Sequence, residues 1–398
     1  MAAPASMASG RTERPPSSLL NDPKIRGIIY QVVTALVFIA LIYFIWTNTL
    51  ENLRRANIAS GFGFLSGRAG FDLGQSLIAF SSDSTYARAL YVGFLNTLLV
   101  AFTGIITATV LGFIIGIGRL SKNWLIAKLS TAYVEIFRNI PPLLVIFFWY
   151  SGVLAVLPGV RESIALPFGS YLNNRGFAFP KPVFAEGFWL VLAALLAAIV
   201  LSLVLRRYSL NRRMATGRGV PILWPSIAMI VAFPVIAYVI MGAPLSFDYP
   251  VAGTFNLTGG SVVGPEFISL YLALSFYTAS FIAEIVRGGI RAVPRGQSEA
   301  AEALGLRQGY TTRFVVVPQA MRIIIPPLTS QYLNLTKNST LAIAIGYADL
   351  VSVGGTILNQ SGHPIEIVAI WMVVYLSISL LTSLFMNWFN SRMALVER

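Results

Sequence analysis

The residues of this chain that could do chemistry are two ionisable side chains inside long apolar runs, Glu284 and Lys337. An ionisable side chain in a membrane must face a cavity or pair with a partner, so each marks a candidate site. Lys337 lies about 11 residues past Pro326, which at 1.5 Å per residue is roughly 16 Å into a bilayer and close to its middle. A polar girdle at this depth is typical of a solute path. The girdle consists of Ser330, Gln331, Asn334, Thr336, Asn338, Ser339 and Thr340.

The girdle also indicates how a solute would be held. Asn, Ser and Thr at 338–340 are types that cap helix N-termini, so a helix break there would aim free backbone N–H groups at a carboxylate. Lys337 would add positive charge, and Glu284, if it faces the same cavity, would attract an amino group. Alternatively, Lys337 belongs to a structural ion pair, or the helix is continuous and its polar residues bind a neighbouring helix. Glu284 would then extend its carboxylate to the membrane surface or pair with Arg287 one turn away. The candidate path residues are Glu284, Asn334, Lys337, Asn338 and Ser339.

Other site chemistry is missing from the sequence. There is no cysteine and one histidine, His363, so disulfides and a histidine-based metal cluster are excluded. No G-x-x-x-x-G-K-[ST] phosphate loop occurs, so the chain does not hydrolyse ATP by that route. No arrangement of Ser-His-Asp, His-Glu-x-x-His or paired carboxylates stands out. The sequence therefore predicts no catalytic residues, no metal ligands and no cofactor bound by this chain.

Composition indicates an all-α protein with several membrane spans. Of the 398 residues, 56% are hydrophobic and 11% are charged, whereas a soluble domain has about 25% charged residues. The apolar blocks predict eight spans, at about 27–47, 90–118, 133–157, 187–205, 221–241, 266–286, 323–348 and 365–389. In the second span, four glycines between 104 and 118 predict close helix packing.

The distribution of positive charge predicts the orientation in the membrane. The formal net charge is +13, which in a soluble protein would suggest a nucleic-acid partner. Here the proposed inner segments hold 21 of the 29 Lys and Arg residues, the proposed outer segments hold 7, and the last is Lys337. Because basic loops stay in the cytoplasm, we expect both termini and residues 287–322 to be cytoplasmic, with the lipid bilayer and not nucleic acid as partner.

A short polar helix is predicted in the loop between the sixth and seventh spans. Residues 297–306 read QSEAAEALGL, in which Ser298 is the predicted N-cap, strong helix formers follow, and Gly305 is the predicted stop. The small alanine-rich face of this helix could seat in a groove on a partner. From the residue pattern alone, an ordinary amphipathic connector that binds no partner is an equally good interpretation.

This loop resembles the EAA loop of membrane subunits of ATP-binding-cassette (ABC) importers. The matching residues are Glu299, Ala300, Ala301, Gly305, the apolar pair Val315 and Val317, and Pro318. Further segments resemble the polar amino-acid branch, most closely the permease subunit of the general L-amino-acid importer of Gram-negative bacteria. They are YVGFLNTLLVA (91–101), YVEIFRNIPPLL (133–144), AEIVRGGI (283–290) and residues 318–350.

The resemblance implies a type I importer fold with a five-helix core in the bacterial inner membrane. It implies that Glu299, Ala300, Ala301, Gly305 and Pro318 couple the chain to separate subunits, which bind and hydrolyse ATP. The other expected partners are a periplasmic amino-acid-binding protein and a second permease subunit, with a non-identical subunit favoured over a second copy. The implied function is to form the translocation path for polar L-amino acids.

The five-helix core does not account for the whole chain. We expect a disordered cytoplasmic arm at 1–26, an extra span and periplasmic loop at 27–85, core at 86–157, inserted loops and two extra spans at 158–262, and core at 263–398 with the coupling loop at 287–322. The alternative function is a secondary amino-acid transporter driven by an ion gradient. Its mark would be a relay of intramembrane carboxylates, whereas the sequence offers Glu284 and, near a membrane surface, Glu366.

Overall fold

The computed structural model describes residues 23–55, 60–253 and 256–393. This part of the chain is mostly helical, as the sequence predicted. The helices are α1 (Pro23–Arg55), α2 (Tyr86–Gly118), α3 (Trp124–Asn139), α4 (Pro142–Phe147), α5 (Phe188–Thr216), α6 (Leu223–Ile240), α7 (Pro265–Arg291), α8 (Arg295–Ala303), α9 (Gln308–Thr311), α10 (Val317–Asn338), α11 (Leu350–Ser361) and α12 (Pro364–Met393). Residues 1–22 of the predicted arm lie outside the described residues, and residues 23–26 belong to α1.

Within the described ranges, six helices are long and apolar enough to cross a bilayer, namely α1, α2, α5, α6, α7 and α12. Two bent helix pairs raise the total to the predicted eight if each pair counts as one span. In the first pair, α3 meets the segment formed by α4 and the π-helical turn Phe148–Leu154 at 110°. The predicted continuous span over 133–157 is therefore wrong. The cause is the Pro141–Pro142 pair, because proline drives the preceding Ile140 into an extended conformation (φ −100°, ψ 132°) that ends α3.

In the second bent pair, α10 continues as the 3-10 helix Ser339–Ile345 and then meets α11 at 52°. The turn is made by Gly346, whose φ of 75° lies in the left-handed region where glycine is favoured. The chain thus keeps a helical backbone through the whole polar girdle and bends only after it.

The core is built from α2, α7 and α10, which approach closely because glycines line their contacts. A Cβ at Gly112 would lie 2.5 Å from Cγ2 of Ile282, and one at Gly116 would lie 2.7 Å from the carbonyl oxygen of Ala283. A Cβ at Gly289 of α7 would lie 2.4 Å from Cγ1 of Ile324 in α10. These separations leave no room for a side chain, so the prediction of close helix packing by small residues is confirmed for α2.

The remaining spans lie at the periphery and bury little. The most apolar windows of α1 and α6 have no buried residue, and 6% of that window is buried in α5. α5 packs mainly against α6, which follows it as a hairpin. Large side chains such as Phe38 of α1 (61% exposed) and Trp224 of α6 (75% exposed) point away from the rest of the chain. Such faces are compatible with lipid, in which apolar surface needs no protein partner.

The loops at the opposite end of α7 from α8 contain short strands that the all-α prediction missed. The strands are β1 (Ile164–Leu166), β2 (Ser170–Asn173), β3 (Gly176–Phe179), β4 (Lys181–Phe184), β5 (Leu245–Asp248), β6 (Val251–Ala252), β7 (Leu257–Thr258) and β8 (Ser261–Val263). They form an antiparallel sheet of order β1-β2-β3-β8 and two antiparallel pairs, β4 with β5 and β6 with β7. Because β3 pairs with β8 and β4 with β5, the loops before α5 and after α6 lie on the same side of the helices.

Candidate functional site

The short helix α8 lies between the core helices α7 and α10, as predicted. It begins at Arg295 after Pro294, so the predicted N-cap at Ser298 is wrong and Ser298 is an interior residue. Its end agrees with the sequence, because Gly305 adopts φ 75° and closes the helix. The N–H of Gly305 donates to the carbonyl of Glu302 at 2.8 Å, and the N–H of Leu306 donates to the carbonyl of Ala301 at 3.1 Å. These two bonds satisfy carbonyls at the helix end and fix the direction in which the chain leaves.

The two alanines of α8 have different surroundings. Ala301 is buried within this chain (4% exposed), where α8 packs against the π-helical turn Thr312–Val316. Ala300 and Glu299 are exposed. Beside them lie three large exposed apolar residues that the sequence did not single out. We name these five residues the coupling surface; its members are Glu299, Ala300, Leu304, Tyr310 and Phe314, and the last three are 81%, 54% and 62% exposed.

Pro318 lies inside a continuous helical stretch and not at a helix start. α9, the π-helical turn Thr312–Val316 and α10 follow one another without a break, and Pro318 is the second residue of α10. Proline has no N–H to donate, and it stands directly after a π-helical turn, where the regular hydrogen-bond pattern of an α-helix is already interrupted.

Glu284 lies in an ion cluster at the α8 end of the core. Its carboxylate pairs with Arg119 at the end of α2, with Arg287 at 2.5 Å and with Arg138 of α3 at 3.8 Å. The guanidinium of Arg119, whose side chain is 8% exposed, also lies 3.9 Å from the carboxylate of Glu135. The alternative that Glu284 pairs with Arg287 is therefore confirmed. The cluster connects α2, α3 and α7 where they approach the coupling loop.

Lys337 lies on an exposed face of α10. Ser330, Asn334 and Lys337 are exposed at helical spacing, whereas Thr336 and Ser339 are buried and Asn338 is partly buried. We call the face formed by Ser330, Asn334 and Lys337 the polar stripe. The candidate residues therefore divide, with Asn334 and Lys337 accessible from outside the chain and Ser339 facing its interior.

The expected helix break at residues 338–340 does not occur. The Ser339 hydroxyl donates to the carbonyl of Thr336 at 2.8 Å, and that of Thr340 donates to the carbonyl of Lys337 at 2.9 Å. Hydroxyls that bond back to the preceding turn are compatible with a continuing helix, so they do not cap a new one. The new helix end comes later, at Asp349, whose carboxylate accepts the N–H of Ser352 at 2.8 Å. That helix end already has an anionic cap.

Glu284 and Lys337 lie at different levels of the core, which argues against the expected pairing of these two residues around one zwitterion. A Cβ at Gly104 would lie 3.3 Å from Leu335 of α10 and 3.8 Å from Ser275 of α7, so these two residues lie at the same level of the core. Glu284 lies nine residues beyond Ser275, towards α8, and Lys337 lies two residues beyond Leu335 in the opposite direction. At 1.5 Å per residue, their levels differ by about 16 Å.

Sequence reasoning missed a buried polar cluster that joins α2 to the start of α11. The side-chain amide of Asn96 donates to the carbonyl of Ala348 at 2.9 Å, and the Tyr347 hydroxyl donates to the carbonyl of Asn96 at 3.2 Å. The N–H of Leu350 donates to the Thr97 hydroxyl at 3.1 Å. The available signal was the pair of polar residues Asn96 and Thr97 inside an otherwise apolar span. The cluster holds the bend after α10 against α2.

Together these features define a class of protein, a multi-span membrane protein with a short exposed helix at one end of its core. A family model described as the binding-protein-dependent transport system inner membrane component matches residues 190–395. This chain belongs to that family. The match includes α5 and α6, which the sequence analysis treated as additions to the core.

Several relatives match nearly the whole chain. The chain is 69% identical over 96% of its length, and 95% of the relative's, to the general L-amino acid transport system permease protein AapQ of Rhizobium johnstonii. It is 50% identical over 95% of its length, and 96% of the relative's, to the putative amino-acid ABC transporter permease protein YhdX of Escherichia coli. A crystal structure of an amino acid ABC transporter with histidines aligns over 77% of this chain and 95% of that chain, with TM-score 0.46 and 20% identity.

The chain is therefore a multi-pass inner-membrane permease subunit of an ABC importer, which confirms the family that the sequence indicated. It is not an enzyme, because in ABC systems ATP is bound and hydrolysed by a partner ATPase. Membership of this family also implies an external binding protein as a partner. The alternative of an ion-driven secondary transporter is set aside.

Proposed function

We propose that this permease carries L-amino acids of several side-chain types inward across the inner membrane at the expense of ATP. The observation that carries the proposal is 69% identity over 96% of the chain to a general L-amino acid transport permease. A second relative, the glutamate/glutamine/aspartate/asparagine permease protein BztB of Rhodobacter capsulatus, is 42% identical over 96% of this chain and 97% of its own. Both relatives are amino-acid transport permeases, the first described as general and the second by four named amino acids.

The coupling surface is the proposed contact with the ATPase. Leu304, Tyr310 and Phe314 expose apolar area that the chain itself does not cover, and exposed apolar patches of this kind mark protein interfaces. Glu299 and Ala300 contribute a small acidic face beside them. Ala301 and Gly305 support the surface from beneath, because they fix where α8 packs and where it ends, and Pro318 follows the π-helical turn against which α8 packs.

The polar stripe is the proposed wall of the translocation path. Its support is that Ser330, Asn334 and Lys337 project from a core helix at membrane depth without a partner among the described residues. A second permease subunit, non-identical to this chain, would enclose the stripe, and Lys337 would attract the carboxylate of the solute. Asn338 and Ser339 would shape the same wall from its buried side. Glu284 has a different proposed role, at the inner end of the path.

The proposed orientation places both termini and α8 in the cytoplasm and the strand-bearing loops in the periplasm. Its support is the excess of Lys and Arg in the segments assigned to the inner side. The division into a core at 86–157 and 263–398 with additions at 1–85 and 158–262 is kept as a proposal. The dense packing of α2, α7 and α10 favours this division.

Uptake by the complete importer in proteoliposomes tests this proposal. We expect labelled L-amino acids to accumulate only when the ATPase side holds ATP and the binding protein is present outside. Accumulation driven by an ion gradient without ATP would contradict the function.

The same uptake assay tests the polar stripe. Lys337→Met should lower uptake about tenfold, equivalent to about 1.4 kcal/mol, while Lys337→Arg should keep normal uptake, and both variants should assemble normally. Normal uptake by Lys337→Met would remove this residue from the path and leave the function standing.

A further inference from the structure

The outer sheet carries an exposed aromatic residue in an unfavourable backbone conformation. Phe168 lies in the turn Pro167–Gly169 between β1 and β2, is 90% exposed and has a φ of 62°. For a bulky side chain the left-handed region is disfavoured by contact of Cβ with the backbone. The ring is exposed, so contacts within this chain do not offset the energetic cost of that backbone conformation. Residues in such sparsely populated conformations cluster at functional sites, including sites that bind ligands.

The turn at Phe168 is continuous with further exposed apolar groups. Gly169 lies against Tyr249, since a Cβ at position 169 would be 2.8 Å from Cδ1 of Tyr249, and Tyr249 is 52% exposed. β1 is an edge strand in the sheet order, with Ile164 at 41% and Leu166 at 37% exposure. We name Ile164, Leu166, Phe168 and Tyr249 the outer patch. It combines aromatic side chains, which are common anchors of protein interfaces, with a free strand edge that can pair with another chain.

The outer patch has a short, continuous connection to the coupling helix. The sheet runs from β1 through β2 and β3 to β8, and β8 ends two residues before α7 begins at Pro265. β3 also contacts α7 directly. α7 in turn ends at Arg291, just before α8. A protein that docks on the patch would therefore press on α7, a core helix that leads directly to α8.

We propose that the outer patch docks the soluble solute-binding protein on which transporters of this family depend. This inference rests on the proposed function and orientation, and it assigns the docking surface to the strand-bearing loops at 158–187 and 242–264. Binding-protein-dependent transport requires that the docked state reach the ATPase, and the sheet with α7 supplies that connection. Contact with the bilayer or with a second permease subunit would not require the patch to be connected through α7 to α8.

Photocrosslinking identifies the occupant of the patch. A photoreactive phenylalanine analogue is placed at position 168 of the complete importer in intact cells, and at Trp189, which is 66% exposed on α5, as control. We expect position 168 to give an adduct that contains peptides of the amino-acid-binding protein, and the control to give none. Adducts of position 168 with lipid or with the second permease subunit alone would overturn the proposal.

A second measurement separates docking from folding. Phe168→Gly removes the ring and also relieves the backbone strain, so its melting temperature should equal or exceed that of the wild type. We expect the binding-protein concentration for half-maximal ATPase stimulation to rise about tenfold in Phe168→Gly, to stay unchanged in Phe168→Tyr, and basal ATPase activity to stay unchanged in both. An unchanged half-maximal concentration in Phe168→Gly would overturn the docking surface alone. Absence of stimulation in the wild type would instead contradict the proposed function.

Discussion

The packed core and the α5–α6 hairpin are both apolar, yet they differ in how their residues are constrained. In the core, glycines bring α2, α7 and α10 so close that a single added carbon at Gly112 would lie 2.5 Å from Ile282. In the hairpin, small residues such as Ala197 face outward, and large ones such as Trp224 are exposed. Hydrophobicity alone therefore does not distinguish the two regions; the spacing of small residues does.

The same comparison extends to charge. The core contains a carboxylate shared by several guanidinium groups, at Glu284, in surroundings where Arg119 is 8% exposed. On the peripheral helix α1, Glu51 pairs with Arg55 at 2.6 Å, but both side chains are more than half exposed. This difference indicates that the ion pairs of the core fix the relative positions of its helices. Fixed positions are required if a conformational change is to pass between a solute path and a coupling helix. The periphery has no such demand.

The largest expected effect comes from enlarging a core glycine. Gly112→Leu would overlap Ile282 and should lower the free energy of unfolding by about 3 kcal/mol or prevent α2 from packing on α7. Ala197→Leu on the exposed face of α5 should change it by less than about 0.5 kcal/mol. Denaturant unfolding of the purified protein measures both. Equal losses in the two variants would contradict the distinction between core and hairpin.

An intermediate effect is expected at the ion cluster. Glu284→Gln leaves the guanidinium of Arg119 without its nearest anion and should cost about 2 kcal/mol, less than a fully buried pair because Glu284 keeps some exposure. Glu51→Gln should cost less than about 0.5 kcal/mol, because an exposed pair is screened by solvent. Unfolding of both variants at two salt concentrations is the measurement. An unchanged free energy of unfolding in Glu284→Gln would show that the ion cluster does not stabilise the core.

The smallest expected effect on stability comes from Gly→Ala at Gly305 and Gly288. Both positions have open space, because nothing lies within 4 Å of the place that a Cβ would occupy. Gly305 has φ 75°, so Gly305→Ala should destabilise the coupling loop by about 1 kcal/mol. Gly288 lies inside α7 with helical backbone, so Gly288→Ala should be neutral or stabilising by up to about 1 kcal/mol. The melting temperature should therefore fall in Gly305→Ala and stay the same or rise in Gly288→Ala. The same sign in both would refute the role of Gly305 as a helix stop.

The spans and the coupling helix could be predicted from sequence because their signals are local. Long apolar runs identify spans, and QSEAAEALGL contains its own helix formers and stop. Strands of four residues or fewer were missed because alternation cannot be recognised over so short a stretch. The Arg119–Glu284 pair was missed because its partners are 165 residues apart and meet only after α2 packs on α7.

The polar girdle shows a different limit. Ser and Thr hydroxyls either cap a new helix or bond back to the preceding turn, and sequence alone does not decide between the two. The structure has the second arrangement at Ser339 and Thr340, and places the bend at Gly346. The glycine was the better signal, since only a change to left-handed backbone interrupts the helix here. The depth of Lys337 in the bilayer stays a prediction, and its distance from Glu284 depended on the antiparallel packing of α10 on α7.

The most direct test of the central claim, that this permease is coupled to its ATPase through the exposed face of α8, is thiol labelling of α8. The protein has no cysteine, so Ala300→Cys and Ala301→Cys each introduce a single thiol. In the permease without its ATPase, a membrane-impermeant reagent on the α8 side should label position 300 rapidly and the buried position 301 slowly. Assembly with the ATPase should slow labelling at 300 at least tenfold and leave 301 unchanged. Equal labelling of position 300 with and without the ATPase would contradict the account.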